Sequence, residues 1–264
     1  MPELPEVAVL AKDLTGFTAG RPLTNVAFLG RRSTLTKMIP SPVQRAFLTM
    51  RGHPVRITSN GKHLYLSVRQ TRVQIRLGMT GWFQVRPVPR EYAPHHFATL
   101  VWGNRRAHFL DFRRFSRMAI NAEEHKGALG GFEPIKGFFL APARELSVAL
   151  NHSLRGFHSR PRITWLLNHG VRTGIGNYLA NEALGRLGLS PFEACRDRKE
   201  ALALLTASQK LAKESFACGG TSFGIGYFRL DGSEGTFAQK LRVYRHPAAR
   251  RAVLNGRPVY FRPV

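Results

Sequence analysis

Apolar and polar residues alternate along much of the N-terminal half of the chain. His63-Leu64-Tyr65-Leu66-Ser67-Val68, inside the stretch 56–68, is the clearest run, and Val73–Leu77, Trp82–Val85, Phe97–Trp102 and Ala107–Leu110 follow it. Alternation puts one set of side chains on each face of a sheet, so these runs predict strands over about the first 120 residues. Asn60-Gly61, Gly78, Gly81 and Gly103-Asn104 separate them as turns. The start differs: Val7, Leu10, Ala11 and Leu14 are spaced three and four apart, which predicts a leading helix over 7–14.

Beyond about residue 140 the period lengthens to that of helices. Leu146, Leu150 and Leu154 share one face of a helix predicted over Arg144–Leu154, and Ile163–Leu167 reads as helical too. Ser190-Pro191-Phe192-Glu193 has the form of a helix start, with a serine cap, a proline in the first turn and a glutamate three residues after the cap. Asp197 and Glu200 repeat the cap pattern before a helix over 201–217 that Gly219-Gly220 ends. Near the C-terminus, Asn255-Gly256 separates Ala252-Val253-Leu254 from Val259-Tyr260-Phe261. Asn-Gly accepts the positive φ values of a type I′ turn, so this segment predicts a β-hairpin, which must dock on something to be stable. The order predicts an α+β protein: a β-sandwich with a leading helix over 1–126, a Gly- and Pro-rich linker over 127–142, a helical domain over 143–239 and a hairpin over 240–264.

Charge narrows the partners. Of 264 residues, 40 are Lys or Arg and 16 are Asp or Glu, a net charge of +24. Such self-repulsion calls for a polyanion in the working state. The 43% hydrophobic content fits a folded protein rather than a basic tail. No apolar run reaches the length of a spanning helix, and Met1-Pro2-Glu3-Leu4-Pro5-Glu6-Val7 lacks the basic-then-apolar form of a signal peptide. Nucleic acid is therefore the favoured polyanion over membrane. The expected compartment is the cytoplasm with its nucleoid in a bacterium, or the nucleus in a eukaryote. Cys195 and Cys218 form no CxxC pair and read as two reduced thiols. The arginines flanking the hairpin, Arg245, Arg250, Arg251, Arg257 and Arg262, would suit a DNA groove.

Some residues carry candidate chemistry. Once Met1 is removed, Pro2 presents a secondary amine that can attack a sugar C1′ and form an iminium, an electron sink for elimination. An α-amino group titrates near neutrality, whereas a lysine would first need its pKa lowered. Glu3 beside it can serve as general acid at the ring oxygen or as a proton shuttle. Proline and glutamate are also ordinary exposed residues at an N-terminus, and chemistry alone leaves both readings open. Met79 and Phe115, taken alone, read as core packing before they read as wedges for a gap in stacked bases. The N–H groups of Gly174-Ile175-Gly176-Asn177, at the start of a helix, can bind a phosphate or form a structural turn.

Several segments, in order, resemble one family. Pro2-Glu3-Leu4-Pro5-Glu6-Val7 is similar to the start of the formamidopyrimidine-DNA glycosylase and endonuclease VIII family. Gly61-Lys62-His63-Leu64 resembles its catalytic-lysine turn, and Leu77-Gly78-Met79-Thr80-Gly81 resembles the loop whose methionine fills the gap left by a flipped base. Asp111-Phe112-Arg113-Arg114-Phe115 resembles the segment that supplies an arginine to the orphaned base and a phenylalanine wedge. Gly174 to Leu184 is close to the helix–two-turn–helix signature. The resemblance implies a bifunctional glycosylase and AP lyase acting on damaged or abasic double-stranded DNA as a monomer, with no cofactor. It implies Pro2 as nucleophile, Glu3 as acid/base and Lys62 as a catalytic-site cation. It implies DNA contacts from Met79, Arg113, Phe115, Asn177, Arg257 and His95, with Glu6 and Glu182 as supporting acids behind the site. Leu4, in place of the glycine usual in the pyrimidine-acting branch, points to oxidised or ring-opened purines. The segment Thr221–Gly235, which carries Gly224 and Gly226, is about as long as the loop that closes over a flipped purine in the purine-acting branch.

Two departures stand out. The region 241–264 has no cysteine, where bacterial relatives usually carry a four-cysteine zinc finger. Gly256 to Phe261 still resembles the second finger strand, which implies a zincless hairpin held by Val253, Val259 and Phe261, with no metal. Phe112 stands in place of proline. Two other readings fit the charge: a catalytically silent damage-binding or architectural protein of the same fold, which the intact Pro2, Glu3 and Lys62 disfavour, and an RNA-binding protein, which would form no covalent sugar adduct.

Overall fold

In the leading helix α1 (Leu4–Thr18), Val7, Leu10, Ala11 and Leu14 are all buried, as their spacing requires. The computed structural model describes residues 2–121, 129–142, 144–146, 157–168, 174–222, 229–244 and 246–262. Glu6 Oε2 accepts the Glu3 N–H at 2.8 Å, which fixes the entry to the helix.

Two sheets form the N-terminal sandwich. The first joins β1 (Asn25–Phe28), β6 (His96–Trp102), β7 (Arg105–Asp111) and β5 (Gly81–Gln84) in that order. The second has the order β10 (Gly137–Leu140), β9 (Gly130–Glu133), β2 (Arg56–Asn60), β3 (His63–Val68), β4 (Thr71–Arg76) and β8 (Arg117–Ile120). Val7, Leu10, Ile57, Leu64, Ile75, Phe83, Leu100, Trp102 and Phe109 belong to one continuous core between them. The strands predicted by alternation are present. Two helices among them were not predicted: α2 (Arg32–Met38) and α3 (Ser41–Thr49). Pro40 and Pro42 resemble helix breakers, yet they lie at the start of α3, where a proline's missing N–H costs no bond.

The stretch expected to be a linker adds a hairpin to the second sheet instead. β9 pairs with β2 through Ser59↔Phe132 and Asn60↔Gly131, and β10 pairs with β9. Gly131 approaches the Ser59 carbonyl too closely to admit a side chain, which explains glycine where a linker was expected.

A second core gathers α4 (Arg162–Leu166), α5 (Asn177–Arg186) and α6 (Arg198–Ala217) with Phe157, Trp165, Leu179, Leu204, Phe237 and Val259. Asp197 caps α6, its Oδ1 accepting the Glu200 N–H at 2.7 Å, as predicted. The segment Ser190–Glu193 is not a helix start. Its carbonyls receive α4 instead, Arg162 N donating to Glu193 O and Ile163 N to Pro191 O. Most of the helix predicted over Arg144–Leu154 lies outside the described residues.

The last two strands, β11 (Arg250–Leu254) and β12 (Arg257–Phe261), form the predicted hairpin. Asn255 and Gly256 have φ of 50° and 71°, as a type I′ turn demands. Val259 is buried and Phe261 meets Phe192 edge-on at 4.9 Å. Val253, expected to pack, is 61% exposed, because alternation along β11 turns it away from the helices. No helix among the described residues is long and apolar enough to cross a membrane.

Candidate active site

The N-terminal residues reach the start of α5. Leu4 N donates to Gly174 O at 3.1 Å. Pro2 is buried immediately before Glu3. Glu3 is 2% exposed, and its carboxylate accepts backbone N–H groups from Gly176 (2.8 Å), Tyr178 (3.0 Å) and Leu179 (3.3 Å). A helix N-terminus offers unpaired N–H donors and partial positive charge, so the anion bound here is Glu3 itself. Of the two readings the sequence left open, phosphate binding or a structural turn, the bonds made here are structural, to a carboxylate of this chain. A Cβ at Gly176 would overlap the Glu3 carboxylate, so glycine is what admits it.

Glu6 is buried behind Glu3. Its Oε1 accepts from Tyr178 OH and Thr221 N, each at 2.9 Å. Burial raises its pKa against these bonds. Glu6, expected as a supporting acid, is bonded to the Glu3 N–H at 2.8 Å. Lys62 sits in the β2–β3 turn, where Asn60 pairs with His63, and its Nζ donates to Ile175 O at 2.8 Å. Burial pushes the Glu3 carboxyl up to about 7, with Lys62 opposing the rise and Glu6 adding to it. Desolvation pulls Lys62 down to about 8, with Glu3 opposing and Arg257 contributing. The arrangement thus holds one proton-donating carboxyl and one easily discharged ammonium near neutral pH, the condition for acid/base work.

The hairpin is tied to the same helix. Asn177 Nδ2 donates to Pro258 O at 2.9 Å and to Tyr244 OH at 3.2 Å, so its donors hold β12 rather than stand free for DNA. Asn181, which the sequence did not single out, accepts the Tyr260 N–H at 3.0 Å. Arg257 is exposed yet close enough to perturb Lys62, so this docking brings the hairpin's arginine over the site. Glu182, the other expected supporting acid, is fully buried and accepts N–H groups from Arg242 (2.9 Å) and Val243 (2.7 Å). It secures the approach to the hairpin.

Residues 1–118 match the formamidopyrimidine-DNA glycosylase N-terminal domain. Over 252 residues the chain is 32% identical to the formamidopyrimidine-DNA glycosylase of Colwellia psychrerythraea, covering 92% of this chain and 88% of that protein. The chain belongs to the formamidopyrimidine-DNA glycosylase family. The Thermus thermophilus member is 29% identical over 283 residues, covering 100% of this chain and 97% of its own. The crystal structure of the MutM (Fpg) protein from that organism superposes with a TM-score of 0.69 at 26% identity, covering 98% of this chain and 97% of that one. A Lactococcus lactis Fpg variant in complex with a Fapy-dG-containing DNA shares the fold, with a TM-score of 0.78 at 20% identity over 99% of this chain and 98% of that one.

In this member of the family, the remaining predicted residues cluster at one end of the sandwich. Met79 is 37% exposed, Phe115 is 47% exposed, and the Arg113 guanidinium lies 4.8 Å from the Phe115 ring centre. His95 does not stand free: its ring meets Phe112 at 4.7 Å, and its Nδ1 has no hydrogen-bond partner. Phe112, the departure from the family's proline, also meets Trp82 at 5.0 Å and Tyr92 at 4.9 Å. Aromatic packing thus anchors a loop that proline would otherwise restrain. Among the described residues no cluster of three His, Cys, Asp or Glu side chains could hold a metal ion. Gly224 and Gly226 lie outside the described residues.

Proposed function

We propose that this protein is a bifunctional DNA glycosylase and AP lyase that removes oxidised, purine-derived bases from duplex DNA and then nicks the backbone. The observation that carries the reading is the buried Glu3 carboxyl, held near a pKa of about 7 beside Pro2 and across from Lys62. Removal of Met1 turns the Pro2 nitrogen into a secondary amine. That nitrogen bonds to C1′ of the damaged nucleotide as the C1′–base bond breaks, and the base leaves with the electron pair and takes up the proton that the amine nitrogen releases. The ring C1′–O4′ bond opens, with Glu3 supplying the proton to O4′, and an iminium forms at C1′. The iminium acidifies the C2′–H bond; the Glu3 carboxylate, left deprotonated by its transfer to O4′, takes that proton, and the C2′–C3′ double bond forms as the C3′–O bond breaks and the 3′ phosphate leaves. The sequence is redox-neutral and uses only this chain's residues.

Lys62 and Arg257 supply positive charge toward the flanking phosphates, while Met79, Arg113 and Phe115 occupy the gap left by the everted nucleotide. The sandwich is the catalytic unit, and the helical and hairpin units hold the DNA against it. Arg113 can donate to an acceptor edge of cytosine, which suits lesions derived from guanine. Single-turnover excision of 8-oxoguanine, a formamidopyrimidine and an oxidised thymine, each opposite its normal partner, tests the reading. Fastest release of a purine lesion supports it. Fastest release of the oxidised thymine would overturn the purine preference, and release of none would overturn the glycosylase activity.

A further inference from the structure

The loops carrying Met79 and Arg113–Phe115 are two adjacent crossovers between the sheets. One runs from β4 to β5 and the other from β7 to β8. The register pins both ends: Arg76 pairs with Arg117 in the second sheet, and Gly81 pairs with Asp111 in the first. Between the loops sits Asp111, a fully buried acid beneath exposed wedges. Its Oδ1 accepts from Thr80 Oγ1 at 2.6 Å and from Arg113 N at 3.1 Å, and its Oδ2 accepts from Ser116 N at 2.8 Å. Thr80 Oγ1 in turn accepts the Arg113 N–H at 2.9 Å, and Ser116 Oγ donates to Leu77 O at 2.9 Å. Each loop is therefore bonded to the other on both flanks of its inserting residues. Gly78, at φ 62°, lies so close that an added Cβ would sit 2.8 Å from the Phe115 carbonyl carbon.

We propose that Asp111 and Thr80 form a positioning clamp that locks the two loops into one inserting unit, so that Met79, Arg113 and Phe115 enter the base stack together. The inference rests on the gap-filling role assigned above. A buried carboxylate with three N–H or O–H donors is costly to disturb. Its bonds run to the backbone at Arg113 and Ser116, which sets where Arg113 and Phe115 project. A loop free to shift by about 1 Å loses the alignment on which insertion depends.

The test uses a duplex with a tetrahydrofuran abasic analogue opposite 2-aminopurine, whose fluorescence rises when the wedges unstack it. Wild type and Thr80→Ser, which keeps the hydroxyl, are expected to raise the signal equally. Thr80→Val has nearly the same shape without the hydroxyl and is expected to bind the duplex with a much smaller rise. Asp111→Asn, which sets an amide donor against an N–H, is expected to do the same. Formamidopyrimidine excision by Thr80→Val should slow about tenfold or more, while borohydride trapping on a single-stranded abasic oligonucleotide, which has no gap to fill, should match wild type. A wild-type signal from Thr80→Val would overturn the clamp. Equal loss of single-strand trapping would also overturn it, by showing a general structural defect. No rise with wild type would overturn the insertion role and the clamp with it. The fluorescence needs no chemistry, so a wild-type protein that raised it but excised nothing would count against the glycosylase reading alone.

Discussion

The Glu3 carboxylate and the Gly176 backbone N–H meet at 2.8 Å across 173 positions of sequence. This contact joins the N-terminus of the sandwich to the first turn of α5, and so ties the proposed reacting end of the chain to the helical unit. Because a Cβ at Gly176 would overlap that carboxylate, Gly176→Ala is expected to cost about 1–3 kcal/mol of stability and to lower excision on the order of 10²-fold through misplacement of Glu3. Thermal unfolding and single-turnover excision measure the two effects. Wild-type excision by the variant would show that Glu3 acts from another position.

The raised pKa of Glu3 gives a pH dependence with a definite sign. The acid role needs the protonated form, which is lost as pH rises through about 7. The amine of Pro2 must be neutral, a form gained as pH rises through about 8 for an α-amino group. The product of the two is a bell between those values. Glu3→Gln should lower excision by ~10²–10⁴-fold and abolish the alkaline fall, leaving a rate that only rises with pH. Duplex binding should persist. A pH–rate profile that kept both limbs in the variant would remove Glu3 from the proton transfer.

Burial of Glu3 also links to stability. Its folded pKa lies above the ordinary carboxyl value of 4.5, so the folded state binds the proton more tightly. Its contribution to stability is greatest at acid pH and declines as pH rises from about 4.5 to about 7. In Glu3→Gln that part of the decline should vanish. Denaturant midpoints across this range measure it.

Arg257→Ala should weaken duplex binding and reduce the slope of log affinity against log salt by about 1, as loss of one phosphate contact does. Glu182→Ala should act on the same hairpin from behind. It strips the buried Val243 N–H of its acceptor, at about 1–3 kcal/mol, and also releases the part-buried Arg242 N–H. Hydrogen exchange over 250–261 should quicken while the sandwich strands stay protected. Chelator should leave activity and melting temperature unchanged, and elemental analysis should find no stoichiometric zinc.

Much of this was legible in the sequence because the relevant signals are local. Alternation exposed β2 to β7, the three- and four-residue spacing exposed α1, Asp197 announced α6, and Asn255-Gly256 announced the hairpin. The motif order placed Pro2, Glu3, Glu6 and Lys62 near one another. What escaped depends on long-range partners. The N–H groups at the start of α5 read as a phosphate site or a structural turn, since nothing local reveals that Glu3 reaches them. Glu182 and Asn177 resemble site residues by motif, yet Asn177 bonds to the hairpin and Glu182 to the segment that leads into it. The hairpin β9–β10 looked like a linker because its glycines serve close sheet packing rather than freedom. Asp111 read as one letter of a motif, and only the pairing of Gly81 with Asp111 reveals what it holds.

Covalent capture bears most directly on Pro2. Borohydride added during reaction with abasic-site DNA reduces the iminium to a stable amine and leaves the protein cross-linked to the sugar. Peptide mapping should place the adduct on Pro2 as the first residue of the mature chain, and the yield should fall sharply when Met1 is retained. An adduct mapped to Lys62 or any other lysine, or the absence of an adduct under conditions where DNA is nicked, would contradict the assignment of Pro2 as nucleophile.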